Sequence, residues 1–266
     1  MSEPSDRDAV SYFNAHAAHY QDNQYRSSRR TFINVRHQLL LTLIDGLQLP
    51  PGTAVLDAGC GPGPLTVEFA RRGFAVTALD ASTSMLALAR QNVERAGFGA
   101  AVTFHEGSIE QLPFADGRFA MVCSSGVIEY LPSYETALAE FGRVLQPGGH
   151  LVLPTTNVLA PAYFLRPLVE PLGRIPLAAR LLGIKPRAFR VYLHYLPLFR
   201  KRLARAGFIL DDSRHFYLTP PRPLDRVFTR VSIALDRHLA ASPRTPLRHC
   251  AEGYVAVCRK PAAAHP

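Results

Sequence analysis

The stretch AVLDAGCGPGPLTVEFA, residues 54–70, combines three features that predict one local structure. Its apolar start predicts a buried strand that ends near Asp57. Pro64 suits the first turn of a helix, because its φ is fixed and it has no N–H. The glycines between them allow positive φ and let a ligand approach where a Cβ would collide. The sequence therefore predicts a strand, a tight turn and a helix, with a ligand bound at the turn.

Strand and helix patterns continue to alternate after this turn. The apolar runs predict strands at 75–80, 101–107, 118–126 and 150–156, and the periodic segments between them predict helices at 64–73, 82–97 and 133–145. Ser82 is a suitable N-cap for the second of these helices, and Gly97 a suitable stop. Strands that alternate with helices form βαβ units, so we predict an α/β fold with a parallel sheet covered on both faces. Such sheets bind ligands at the carboxyl ends of their strands.

The composition indicates a globular protein, with 47% hydrophobic and 19% charged residues in a chain of 266. The N-terminus lacks the apolar region of a signal peptide, and the aliphatic run at 39–44 is far shorter than the ~20 residues that span a membrane. We therefore expect a cytoplasmic protein. The four cysteines have neither CxxC nor zinc-site spacing, so we expect reduced thiols and no metal.

Basic residues are concentrated in one part of the chain. Residues 1–157 carry a net charge of −4, whereas residues 158–249 carry +12. Such asymmetry indicates an anionic partner or ligand for the second segment: nucleic acid, a lipid headgroup or an acidic substrate. The alternative is an arginine-rich surface that is only solvated.

The spacing of Gly59, Gly61 and Gly63 does not match the G-x-G-x-x-G pattern of dinucleotide folds, which disfavours a dehydrogenase. Here an acid precedes glycines at alternate positions. An acid at this turn would repel a phosphate but attract a cationic ligand.

Four blocks occur in order along the chain: VLDAGCGPG (55–63), VTALDAS (76–82), GSIEQLPFADGRFAMVCSSGVIEYL (107–131) and EFGRVLQPGGHLVL (140–153). In these blocks the chain resembles the class I S-adenosylmethionine-dependent methyltransferases, and among them the UbiE-like small-molecule branch with its type 11 methyltransferase domain. The resemblance covers residues 50–157 and, more loosely, the final strands. It implies a Rossmann-like, seven-stranded and mostly parallel sheet whose last strand is antiparallel, with S-adenosyl-L-methionine as the cofactor.

The resemblance also implies the cofactor contacts. Asp57 would hold the methionyl amino group directly or through water, and Asp80 would accept both ribose hydroxyls. The further cofactor-binding residues implied are Tyr20, Gly59, Cys60, Gly61, Gly63, Ala81, Met85, Ser108, Ile109, Ser124 and Ser125. Relatives often carry an acid where Ser108 stands, so Ser108 or Glu110 would meet the adenine less directly.

The predicted organisation has a core interrupted by additional segments. It comprises N-terminal lid helices at 1–45, the cofactor-binding core at 46–157, a cap insertion at 158–198, the closing helix and strands of the core at 199–218 and 249–260, a second cap insertion at 219–248 and a disordered tail at 261–266. In the lid, Phe13, Tyr20 and Tyr25 are candidates to close over the cofactor. Tyr12, Phe13, His16 and Tyr20 are equally spaced as an ordinary amphipathic stripe that packs in the core.

The cap insertions mix bulky apolar residues with arginines. A cap that is apolar inside and basic outside would suit a lipophilic acceptor or peripheral contact with an anionic membrane through residues 158–245. Alternatively, its apolar faces only cover the sheet edge. We expect methyl transfer to a small, lipophilic metabolite by direct SN2 displacement, with oxygen as the favoured acceptor atom. The sequence does not indicate an oligomeric state.

A general base is needed only for an acceptor that keeps its proton near pH 7. The candidates are His194, His215, Glu129 and Tyr130. The alternative functions are C- or N-methylation of a quinone, lipid or natural product, a nucleic-acid methyltransferase and a non-catalytic cofactor-binding protein. No nucleic acid is expected, because SSGVIEY stands where amino-methylating enzymes of nucleic acids carry N/D-P-P-Y/F.

Overall fold

The structure, a computed structural model, describes residues 6–24, 31–164, 192–218, 231, 233–235, 238 and 245–262. Tyr25, most of both predicted cap insertions and residues 263–266 of the predicted tail lie outside the described residues.

The described chain alternates strands and helices, as predicted. The strands are β1 (Ala54–Ala58), β2 (Ala75–Asp80), β3 (Val102–Glu106), β4 (Phe119–Cys123), β5 (Leu145–Thr156), β6 (Ile209–Phe216) and β7 (Gly253–Arg259). The α-helices are α1 (Asp6–Gln24), α2 (Phe32–Asp45), α3 (Pro64–Arg71), α4 (Thr83–Arg95), α5 (Glu135–Val144), α6 (Pro161–Phe164) and α7 (Leu196–Arg205). Short 3₁₀ turns occupy Gly99–Ala101, Ile128–Tyr130 and Pro246–Cys250.

The seven strands form one sheet in the order β3-β2-β1-β4-β5-β7-β6. Strands β1 to β5 pair in parallel, and β7 pairs antiparallel with both β5 and β6. This topology confirms the predicted seven-stranded, mostly parallel sheet with an antiparallel last strand. The strand order reverses between β1 and β4, and an open sheet binds its ligands at such a switch point.

Helices cover both faces of this sheet, so the core has two layers. One layer packs α2, α3 and α4 on the sheet through residues that include Leu40, Ile44, Phe69 and Val93. The other packs α5 and α7 through residues that include Leu138, Phe141, Phe199 and Leu203. All of these side chains are almost fully buried. Their removal from water contributes roughly 1.5–3 kcal/mol for each large side chain, which makes the sheet a rigid platform for the turns at its edge.

The closing helix begins at Leu196, three residues before the predicted start of the closing segment. Leu196, Phe199 and Leu203 are buried at helical spacing, and Pro197 lies in the first turn, where its missing N–H leaves no bond unmade. Strand β5 begins at Leu145, earlier than the predicted 150, because Leu145 already pairs with Phe119 before a bulge. No helix among the described residues is both long and apolar enough to cross a membrane.

Candidate functional site

The glycine-rich turn after β1 adopts the predicted backbone. Gly59, Gly61 and Gly63 have φ of +80°, +54° and +81°. A Cβ on Gly59 would lie 2.2 Å from Cγ2 of Val127, and a Cβ on Gly63 would lie 3.0 Å from the Cβ of Ala89. A Cβ on Gly61 would meet nothing within 4 Å. Gly59 and Gly63 are therefore needed for packing, whereas Gly61 faces open space into which a ligand can enter.

The turn is held in place by the neighbouring strand and helix. The N–H groups of Gly59 and Cys60 both donate to the carbonyl oxygen of Leu79, at 2.7 and 2.9 Å. The side-chain amide of Asn92 on α4 donates to the carbonyl oxygen of Pro62, at 2.8 Å. The turn is thus fixed from two directions before any ligand binds.

Asp80, the last residue of β2, has its carboxylate oriented by backbone N–H groups. Gly61 donates to Oδ2 at 2.8 Å, and Ser82 donates to Oδ1 at 2.9 Å. Burial raises the pKa of Asp80, and the N–H donors of Ser82, Gly61 and Ala81 oppose that rise. A carboxylate oxygen can accept more than one hydrogen bond, so each oxygen retains capacity for a ligand hydroxyl.

Asp57 lies deeper, in β1, and is 1% exposed. The hydroxyl of Thr66 on α3 donates to its Oδ2 at 2.6 Å. Burial, with a smaller contribution from the charge of Asp80, raises the pKa of Asp57 to about 7, although the hydrogen bonds from Thr66 oppose the rise. A cation bound beside Asp57 would favour its ionised form.

A cleft of about 960 Å³, including the space at its open mouth, lies at the carboxyl ends of these strands. Its wall contains most of the residues predicted to bind the cofactor: Tyr20, Asp57, Gly59, Cys60, Gly61, Asp80, Ala81, Met85, Ser108, Ile109 and Ser125. Gly63 instead caps α3, and Ser124 is fully buried directly after β4. The structure therefore brings eleven predicted residues to one cleft and leaves these two outside its described lining. Their individual roles stay predictions.

Helix α1 covers one side of the cleft. Its backbone departs from helical geometry at His16, where two helical segments meet. Phe13 and Tyr20 line the cleft, and the Phe13 ring contacts the rings of Tyr20 and Tyr130 edge to face, with centroids 5.3 and 5.4 Å apart. Tyr12 instead stacks on His16 at 4.3 Å. Of the aromatic stripe predicted in this segment, Phe13 and Tyr20 therefore line the cleft, whereas Tyr12 and His16 stack on each other.

The cleft also contains His37, which the sequence did not single out. His37 lies on the amphipathic helix α2, and no local motif distinguishes it from a core residue. Burial, with the neighbouring charge of Arg36, lowers the pKa of His37 to about 3, so its ring is neutral at physiological pH. Arg36 is only 5% exposed, and its guanidinium packs on Gly126, where a Cβ would lie 2.7 Å from Nη1.

The four base candidates occupy different environments. Tyr130 lines the cleft, and burial raises its pKa well above the usual value. Glu129 is buried behind that wall, where burial raises its pKa and the charge of Arg36 opposes the rise.

Neither histidine candidate contributes to the described wall of the cleft. His194 pairs with Asn157 at the end of β5, and its ring packs against Tyr134 at 4.9 Å. His215 lies on β6 against Tyr254, with ring centroids 5.1 Å apart. Burial lowers the pKa of both histidines to about 4. The geometry therefore brings Tyr130 to the cleft and leaves His194 and His215 outside its described lining.

Residues 56–153, which carry the turn, both acids and the β4 end, match the family model described as a methyltransferase domain. Over 107 residues the chain is 42% identical to a malonyl-[acyl-carrier protein] O-methyltransferase from Erwinia pyrifoliae, an alignment that covers 40% of this chain and 38% of that relative. The chain spans between 38% and 59% of the length of the curated relatives considered.

Solved structures show the same fold over nearly the whole chain. The [4+2]-cyclase SpnF superposes with a TM-score of 0.67 at 16% identity, covering 99% of each chain. Magnesium protoporphyrin IX methyltransferase from Synechocystis PCC 6803, solved with bound SAH, superposes with a TM-score of 0.64 at 19% identity, covering 96% of this chain and 99% of that one. The family model identifies residues 56–153 as a methyltransferase domain, in agreement with the predicted class I S-adenosylmethionine-dependent family and its cofactor, and the topology and the solved structures show the expected fold.

Proposed function

We propose that the protein transfers a methyl group from S-adenosylmethionine to a small, lipophilic acceptor, with oxygen as the favoured acceptor atom. The observation that carries this proposal is the position of Asp57, Gly61 and Asp80 on one cleft at the switch point of the sheet. Two carboxylates and an unobstructed backbone suit a ligand with a cationic amino acid end and a ribose.

The residues of the cleft fit the two ends of this cofactor. The Asp80 carboxylate, fixed by Gly61 and Ser82, is oriented to accept ribose hydroxyls. Met85 and Ile109 offer apolar walls to the adenine. Asp57, in its ionised form, would neutralise the methionyl ammonium.

When bound, the cofactor supplies a methyl group on a positively charged sulfur, which the acceptor attacks in line as the carbon–sulfur bond breaks and its electron pair returns to sulfur. The protein contributes mainly alignment of the reacting atoms and exclusion of water. Phe13, Tyr20 and Tyr130 form an aromatic cover at one end of the cleft and suit both tasks.

The acceptor must lose its proton if it carries one, so the basicity of the cleft side chains limits which acceptors can react. His37 is neutral and a weak base, since its pKa is about 3. Tyr130 keeps its proton at neutral pH, so it can donate a hydrogen bond to an acceptor oxygen but cannot remove a proton from it. These two side chains favour an acceptor oxygen that is acidic on its own, such as a carboxylate or a phenol. The identification of a malonyl-[acyl-carrier protein] O-methyltransferase among the relatives supports oxygen as the acceptor atom.

A lipophilic acceptor is supported by apolar side chains at the same end of the cleft. Phe13, Val127 and Leu131 line it beside Tyr130. Burying such surface against an apolar acceptor contributes about 25 cal/mol for each Å² removed from water.

Peripheral contact with an anionic membrane, proposed for residues 158–245, is supported by one face of α7. Tyr195 and Leu198 are 50% and 43% exposed. Lys201 and Arg205, also exposed, follow Leu198 at helical spacings of three and seven residues, so these three side chains share a face of α7, and Tyr195 directly precedes the helix. Sedimentation with anionic vesicles, but not neutral ones, and its loss in Leu198→Glu and Lys201→Glu would support this contact. Equal sedimentation with both vesicle types, or with neither, would contradict it.

The enzymatic proposal is tested by incubating the purified protein with S-adenosylmethionine and fractionated lipid or acidic-metabolite extracts. We expect S-adenosylhomocysteine to accumulate with one fraction, together with a product heavier by one methylene group. The matched control is Asp80→Ala, which should reduce both signals at least about tenfold at limiting cofactor. Cofactor binding by the wild type without turnover in any fraction would favour the non-catalytic alternative.

A further inference from the structure

Asn14 on α1 reaches the first turn of α4. Its Oδ1 accepts a hydrogen bond from the Ser82 hydroxyl at 2.7 Å, and it also lies 3.3 Å from the Ser84 N–H and 3.4 Å from the Thr83 hydroxyl. One side-chain oxygen of α1 thus receives three donors from the beginning of another helix.

These contacts complete the cap of α4. The first N–H groups of a helix have no partner within it. Ser82, the N-cap, accepts from the Met85 N–H at 3.2 Å. A hydroxyl has a single proton. Because the Ser82 hydroxyl donates this proton to Asn14, its lone pairs turn towards the Met85 N–H. Asn14 therefore fixes the orientation of the capping hydroxyl, and the Ser84 N–H gains an acceptor from α1.

The same cap residue contacts the cofactor site. The Ser82 N–H donates to Asp80 Oδ1, and Asp80 Oδ2 accepts from the glycine turn at Gly61. Met85, whose N–H is capped, lines the cleft. On the other side of Asn14, its neighbour Phe13 lies in the cleft. A continuous series of hydrogen bonds therefore joins α1 to the carboxylate that we propose binds the ribose.

We propose that Asn14 is a positioning residue for the cofactor. It holds α1 against α4, and this contact fixes both the position of Phe13 at the cleft and the orientation of the Asp80 carboxylate. This inference rests on the proposed function, in which the cleft binds S-adenosylmethionine. Loss of the Asn14 oxygen frees α1 to move away and leaves the Ser82 hydroxyl free to rotate. Both changes weaken cofactor binding, chiefly by faster dissociation.

The test measures cofactor affinity and dissociation rate by calorimetry and stopped-flow fluorescence. Asn14→Ala should raise the Kd for S-adenosylmethionine about fivefold, the scale of losing one helix-cap bond, mostly through the dissociation rate. Asn14→Asp keeps an acceptor oxygen at the α4 N-terminus and should stay within about twofold of wild type. Ser11→Ala, an exposed position on the same helix, is the matched control and should bind as wild type does.

A double-mutant cycle separates a positioning role from a general loss of stability. If the Asn14–Ser82 bond carries the effect, Asn14→Ala should add little to Ser82→Ala. Failure of the wild type to bind S-adenosylmethionine would contradict the proposed function itself. Binding by the wild type with unchanged affinity and dissociation rate in Asn14→Ala would overturn this inference alone. Additive losses in the double variant, or an Asn14→Asp variant as weak as Asn14→Ala, would overturn it too.

Discussion

Asp57 and Asp80 lie on the neighbouring parallel strands β1 and β2, and the charge of Asp80 contributes to the rise in the pKa of Asp57 to about 7. The two carboxylates share one cleft, Asp57 buried and Asp80 partly exposed, and they repel each other when both are ionised. The deeper one is close to half protonated at neutral pH. A cationic ligand relieves this repulsion, because it stabilises the ionised form of both. Asp57 and Asp80 therefore suit a cationic cofactor but destabilise the folded protein when no cofactor is bound.

Cofactor affinity should depend on pH through Asp57. Between about pH 6 and pH 8 the fraction of ionised Asp57 in the free protein rises roughly tenfold, so the affinity for S-adenosylmethionine should rise by a similar factor. Asp57→Asn should weaken binding at pH 8 and flatten this profile in calorimetry. Asp45→Asn, a surface acid paired with Arg72, is the matched control and should keep the wild-type profile. A wild-type profile that is flat over this range would show that Asp57 does not bind the ammonium group.

The free energy of unfolding of the cofactor-free protein should show the opposite pH dependence to the cofactor affinity. The folded-state pKa of Asp57 lies above its usual value of 3.8, so the folded state binds more protons than the unfolded state between pH 4 and pH 7. The free energy of unfolding should therefore fall as pH rises through this window. Asp57→Asn should make the cofactor-free protein more stable at pH 8, by up to about 4 kcal/mol, and change it little at pH 4. Denaturation by urea at the two pH values measures this difference, and an equal effect at both would contradict the buried charge as its cause.

Asp80→Ala should weaken S-adenosylmethionine binding at least tenfold, or ~1.4 kcal/mol, because it removes the acceptor of charge-assisted hydrogen bonds to the ribose. It also leaves the Gly61 and Ser82 N–H groups without their carboxylate. Asp116→Ala, at an exposed ion pair with Arg143, is the control and should bind as wild type does. Unchanged affinity in Asp80→Ala would contradict the ribose assignment.

Local signals predicted the part of the site that is encoded within a few residues. The positive φ of Gly59 and the N-cap role of Ser82 follow from turn and cap preferences, and both are confirmed. Other contacts depend on residues far apart in the chain. Asn14 meets Ser82 across 68 positions, and His37 reaches the cleft only because α2 packs on the sheet. No local pattern encodes these contacts.

The two histidine candidates show a different limit. His194 stands in the predicted cap insertion and His215 in the predicted closing segment of the core, and from the sequence both are candidates for a general base. The structure shows both rings packed against aromatic side chains outside the described lining of the cleft. Sequence spacing alone does not indicate which way a side chain at the end of a strand points, since this depends on the pairing of Asn157 with His194.

Gly59→Ala should be far more destabilising than Gly61→Ala, although both glycines have positive φ. The new Cβ at 59 would lie 2.2 Å from Val127, whereas the one at 61 meets nothing within 4 Å. We expect the free energy of unfolding to fall by roughly 1–3 kcal/mol more in Gly59→Ala than in Gly61→Ala, as measured by urea denaturation without cofactor. Adding Val127→Ala should recover part of the loss only in Gly59→Ala. In Gly61→Ala the main effect should be on cofactor affinity, because the new Cβ occupies the open space of the cleft. Equal losses of stability in Gly59→Ala and Gly61→Ala would contradict the packing argument.

His194 should act on stability and not on methyl transfer. Its pKa of about 4 lies below the usual 6.5, because burial disfavours the charged ring. The unfolded state therefore takes up a proton between pH 6.5 and pH 4 that the folded state does not, and stability is lost as pH falls through this window, by up to about 3 kcal/mol. His194→Gln should remove that part of the acid sensitivity in urea denaturation and retain transfer at pH 7.5 within a few-fold. A His194→Gln variant that is as stable as wild type at pH 7.5 but about a hundredfold slower in transfer would instead place this ring in the reaction.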